Sequence, residues 1–82
     1  MEEIDLHGLN HEQVWDKVEN FILLNSDKLP VRIITGLSEK MQDLVKEVLD
    51  YYEFGYEVPI YNPGQITVLE DKELIWHQKS KK

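Results

Sequence analysis

Glu3-Ile4-Asp5-Leu6-His7-Gly8-Leu9-Asn10 is the stretch on which the fold turns. Residues 3–7 alternate polar and apolar, the period of a strand that buries one face, so Ile4 and Leu6 are expected inward and Asp5 and His7 on the opposite face. Gly8 ends the strand, and Asn10 has the side chain of a helix N-cap, with Gln13 in capping-box position. Val14, Val18, Phe21 and Ile22 then recur at helical spacing with Trp15 beside them, which predicts a helix over residues 11–24. A strand that turns within a few residues into an amphipathic helix opens a βα unit, and the next strand is expected alongside it.

Residues 25–30 carry turn chemistry, and Pro30 admits the extended run Val31-Arg32-Ile33-Ile34, β-branched enough for an interior strand. Thr35-Gly36 closes it. Met41, Leu44, Val45, Val48, Leu49 and Tyr52 follow a regular helical stripe under an N-cap at Ser38, predicting a second helix over residues 39–52. After Phe54-Gly55, residues 56–61 and 65–69 read as two strands joined by Asn62-Pro63-Gly64, and Pro59 puts the third strand at a sheet edge. The expected order is βαβαββ. Two crossovers imply parallel pairing and the closing hairpin an antiparallel strand, giving a two-layer α/β sandwich: a mixed four-stranded sheet with two helices on one face.

The 82 residues, 41% apolar, suffice for one core, expected over residues 1–71. The longest apolar run, residues 21–24, is far too short to cross a bilayer, and the acidic start lacks a signal-peptide basic region; a soluble, cytoplasmic protein without a membrane partner is expected. No cysteine is present, which excludes disulfides, zinc–thiolate sites and thiol nucleophiles. The net charge of −7 is unevenly spread. In residues 72–82, four lysines face one glutamate, +3, leaving five cations against 15 carboxylates, −10, for residues 1–71. The basic tail is read either as a solvated segment, partly ordered through Trp76, or as an arm that touches phosphates. An acidic body opposes broad-surface binding of nucleic acid.

The loops after the first two strands fall at one carboxyl edge of the sheet, where open α/β folds bind ligands, and each leads into a helix N-terminus suited to a phosphate. His7 is the candidate for proton transfer and Asp5, on the same strand face, the carboxylate that orients it or raises its pKa. The plainer readings are a hydrogen-bonded turn histidine and an Asx-turn aspartate. Thr35, Gly36 and Ser38 are candidate phosphate binders, although glycine after a strand also serves an ordinary tight turn. Lys40 and Arg32 are the nearest body cations, each with a plain surface role as the alternative. His11 and His77 have no second ligand at a metal-binding spacing, so neither a metal nor another cofactor is expected. Tyr51, Tyr56 and Tyr61 are read first as half-buried packing residues and second as stacking platforms for bases.

Ile4-Asp5-Leu6-His7-Gly8-Leu9 before an amphipathic helix, and Ile33-Ile34-Thr35-Gly36 before a second, resemble the Smr (small MutS-related) domain family over residues 3–70. The second motif matches in part: Ser38 stands where a second glycine is usual, and Leu37 where a basic residue is often found. The resemblance implies a fold like the C-terminal domain of translation initiation factor three and an endonuclease that nicks DNA or cleaves RNA. It implies Asp5 and His7 as catalytic residues and Thr35-Gly36 as a facing phosphate-binding turn. Two other readings stand beside it: a non-catalytic module that binds nucleic acid, a ribosome or a protein, and an enzyme acting on small phosphate esters.

Overall fold

The computed structural model describes residues 1–71. Its elements are β1 (Glu3–Asp5), α1 (His11–Leu24), β2 (Val31–Ile34), α2 (Glu39–Tyr51), β3 (Phe54–Glu57) and β4 (Gln65–Asp71). The βαβαββ order and both helices stand as read from the pattern. Asn10 caps α1 by accepting from the Glu12 amide, and Ser38 caps α2 by accepting from the Met41 amide. The basic tail and Trp76 lie outside the described residues.

One sheet carries the order β1-β2-β4-β3. β1 and β2 are parallel, with Asp5 opposite Ile34, and β4 is antiparallel to both β2 and β3. This corrects the expectation that the second crossover pairs β3 beside β2: β4 lies between them. Ile66 and Val68 explain the choice. Both are fully buried, and neither glycine nor proline interrupts residues 65–71, whereas β3 contains Gly55 and is followed by Pro59. The strand with the better apolar face takes the interior position.

β3 also begins earlier than predicted, at residue 54 rather than 56, because Phe54 is a core side chain and not part of a turn. The reversal falls at Glu53, φ 58, a left-handed position for which glycine is the usual residue. Gly55 lies instead at an irregularity in the β3–β4 register, and pairing stops at Glu57, before Pro59. β3 is an edge strand, as Pro59 suggested, although the proline itself stands beyond it.

Burial alternates along β2: Val31, Ile33 and Thr35 are buried, Arg32 and Ile34 only partly. The buried parity joins Leu6, Phe54, Ile66 and Val68 in one cluster with Val14, Val18 and Ile22 of α1 and Met41, Val45, Val48 and Leu49 of α2. Both helices therefore cover the same sheet face, and the opposite face, with Asp5 and Leu69, is exposed. Each fully buried Val, Leu or Ile contributes about 1.5–3 kcal/mol by removal from water, so the cluster outweighs any surface ion pair. No helix among the described residues is long and apolar enough to cross a membrane.

Candidate functional site

Parallel β1 and β2 end at the same edge, and the antiparallel β4 starts there, since Gln65 pairs with Ile34. Three loops meet at this edge: residues 6–10, 35–38 and 58–64. The Leu6 amide continues the pairing by donating to the Ile34 carbonyl at 2.8 Å, so His7 is the first residue off the sheet. The chain then folds back, with the Leu9 amide donating to the Leu6 carbonyl at 2.9 Å around Gly8 at φ 85. A short alternating strand followed by a glycine turn thus leaves His7 exposed at the rim.

Asp5 acts on the backbone. Its Oδ1 accepts from the His7 amide at 2.9 Å, which is the Asx-turn reading. No hydrogen bond joins the Asp5 carboxylate to the His7 ring among the described residues, so the expected ring-orienting contact is replaced by one that sets the His7 main chain. The imidazole is seated on the second loop instead: its Cδ2 lies 3.2 Å from the point a Cβ on Gly36 would occupy. Gly36, at φ 73, is needed on two counts, the left-handed backbone and the space for the ring. Neither ring nitrogen of His7 bonds to another described group.

Thr35 and Gly36 do not offer the donors expected of them. Thr35 is 2% exposed, its hydroxyl stands 2.8 Å from the Gly36 carbonyl and 3.2 Å from the Gly64 carbonyl, and its amide donates to Gly64 at 2.9 Å. The Gly36 amide donates to the same Gly64 carbonyl at 3.0 Å. These groups tie the second loop to the third and leave none of their protons for a phosphate. Gln42 adds a strut, its Nε2 donating to the Gly36 and Pro63 carbonyls. The sequence pattern points to neither Gln42 nor Gly64. Gly64 sat in a stretch legible only as a turn, and Gln42 is a polar residue beside Met41 whose partners are distant in sequence.

What remains open for an anion is the start of α2. The Glu39 and Lys40 amides are first-turn donors without a carbonyl four residues back inside the helix, and no described group accepts from them. Ser38 is exposed, and while its oxygen accepts from the Met41 amide at 3.2 Å, its own proton is not committed to any described group. Lys40 is exposed in the same turn and forms no ion pair among the described residues. Glu39, in that turn as well, offsets part of the positive field. Arg32 is not at this edge. It stands opposite Glu3, two residues back along the exposed sheet face, and its Nη1 lies 3.2 Å from Glu3 Oε1.

Among the described residues, two tyrosines have raised pKa values, Tyr52 and Tyr56, and both bond to helix carboxylates and not to groups of this edge. Tyr52 donates to Glu19 of α1, and this hydrogen bond, with burial and the charge of Glu19, pushes its phenol up to about 12. Burial and then the neighbouring Asp50 carboxylate raise Tyr56. Among the described residues no group of three His, Asp or Glu side chains is arranged to hold a metal ion.

The arrangement presents an imidazole with uncommitted nitrogens, a serine hydroxyl, a lysine and free helix amides at one open edge. Those groups can exchange a proton and meet an anion. Comparison with protein-family models, with curated proteins and with solved structures finds no match for the chain.

Proposed function

We propose that the chain is a Smr-like nucleic-acid endonuclease of low intrinsic affinity, built on a fold like the C-terminal domain of translation initiation factor three. The observation that carries the reading is the exposed His7 imidazole seated against Gly36, with both nitrogens uncommitted, beside the open amides of α2. His7 is the proton-transfer group, the catalytic residue of the site. Asp5 is a positioning residue that holds the His7 main chain, and the Glu39 and Lys40 amides, the Ser38 hydroxyl and the Lys40 ammonium receive the phosphate. In RNA, His7 takes the proton of a 2′-hydroxyl whose oxygen attacks the adjacent phosphorus; the 5′-oxygen leaves and takes a proton from water. In DNA, His7 takes the proton of a water whose oxygen attacks the phosphorus; one ester P–O bond breaks and its oxygen leaves with a proton from a second water.

Low affinity follows from charge. One lysine, a few amides and a nearby Glu39 on a body of −10 give few phosphate contacts, so a basic tail, a protein or a ribosome is expected to help deliver the substrate in the cytoplasm. The same acidity, and the absence of a bond between Asp5 and the His7 ring, favour the second reading: a non-catalytic module that uses the same edge. Incubation with single-stranded RNA, structured RNA and supercoiled DNA, with and without added divalent cation, separates the two. Cleavage that disappears in His7→Ala supports the endonuclease. Equal cleavage by both proteins, or none by either, rejects it.

A further inference from the structure

The three most exposed large apolar side chains among the described residues stand at one edge of the sheet. Ile60 is 97% exposed, Tyr61 91% and Leu37 77%. Leu37 follows Gly36 directly. Ile60 and Tyr61 occupy the centre of a turn closed by the Asn62 amide on the Pro59 carbonyl, and the end of that loop is held on the second by the Gly64 bonds to Thr35 and Gly36. Tyr61 is three residues from Gly64, so its Cα stands within about 11 Å of the Gly64 Cα. Turn centres are ordinarily glycine, proline, asparagine, aspartate or serine, each suited to the backbone there. An isoleucine and a tyrosine break that rule, and local rules are broken most often at functional sites.

From this rim we infer that the substrate strand is unpaired at the cut site, with a base stacked on Tyr61 and packed by Ile60 and Leu37. The inference rests on the reading of this edge as a nucleic-acid site. A duplex turns its phosphates and base edges outward and hides its base faces, which leaves three bare apolar side chains facing charged backbone. An unpaired base offers a π-face that a tyrosine ring stacks on without regard to sequence. Charge points the same way. Duplex DNA carries one negative charge per about 1.7 Å of axis, so a body of −10 repels it more strongly than a flexible single strand. The rim thus supplies by stacking some of the attraction that scarce cations do not.

The test uses the whole chain carrying His7→Ala, so that binding is read without cleavage, and a fluorescein-labelled oligonucleotide of mixed sequence, alone and paired with its complement, as DNA and as RNA. Fluorescence anisotropy at low salt is expected to show tighter binding of the single strand by about tenfold or more, a loss of similar size in Tyr61→Ala, and retention in Tyr61→Phe. Equal or tighter duplex binding, an unaffected Tyr61→Ala, or no binding of either form overturns the inference. Tyr61 is too exposed for its loss to unfold the domain, and a melting curve for each variant checks this. The two proposals fail separately. Cleavage by the unsubstituted chain without strand preference sinks the stacking platform alone, and Tyr61-dependent binding without cleavage sinks the endonuclease alone.

Discussion

Gly8 and Gly36 both hold left-handed backbone, at φ 85 and 73, so alanine at either costs about 1–2 kcal/mol of stability. Only at Gly36 does the added Cβ meet the His7 ring; nothing lies within 4 Å at Gly8. Gly36→Ala is therefore expected to lose much more cleavage activity than Gly8→Ala at equal destabilisation, read from kcat beside a melting curve, and equal losses would mean that Gly36 does not position the ring. Asp5→Asn retains an acceptor for the His7 amide, so activity within a few-fold is expected, whereas Asp5→Ala removes the acceptor and drops activity further. Inactivity of Asp5→Asn would show that the charge itself is needed. In the sequence, alternation over residues 3–7 marks Leu6 as a core side chain, but β1 ends at Asp5 and His7 stands off the sheet, so the carboxylate and imidazole expected on one strand face are not paired. The tasks of Thr35, Gln42 and Gly64 are not legible there, because the hydrogen bonds that tie the second loop to Gly64, Pro63 and Gln42 close over 6 to 29 residues and no local pattern encodes them.

At the scale of elements, helices were read well because a stripe of apolar residues and a capping side chain are both local signals. Ser38 and Met41–Leu49 marked α2 to within a residue. Strand pairing was read less well, since the position of β4 between β2 and β3 depends on how completely Ile66 and Val68 are covered by helices encoded elsewhere. Glu53 in the left-handed position, with Gly55 inside the strand, reversed the usual cue and displaced the predicted β3. The Tyr52–Glu19 bond links the end of α2 to α1 and makes a pH prediction. The folded phenol holds its proton up to about 12 and the unfolded one only to about 10, so this contribution is complete below pH 10 and is lost as the pH rises towards 12. Melting temperature is expected to fall over that window, and less steeply in Tyr52→Phe. An identical slope in the variant would remove the bond from the account.

At the scale of the whole molecule, the described residues form a small two-layer sandwich around one buried cluster. Ile33→Ala is expected to cost about 2–5 kcal/mol by denaturant titration, out of a total of about 4–12 kcal/mol for a chain of this length, and a change below about 1 kcal/mol would contradict a packed centre at β2. The charge divides the protein differently from the fold: −10 over residues 1–71 and +3 over residues 72–82. Lys79, Lys81 and Lys82 replaced together by glutamine should weaken nucleic-acid binding and lower its salt slope by up to about 3, with the same bond cut more slowly. A changed cleavage position would mean that the tail helps choose the substrate. The location of the site is tested most directly by amide and imidazole NMR shifts as an uncleavable phosphorothioate single strand is added. The expected shifts gather at the His7 ring and at the amides of Leu37, Glu39, Lys40 and Tyr61; shifts confined to the exposed sheet face or to the outer helix surfaces, with this edge unmoved, would contradict it.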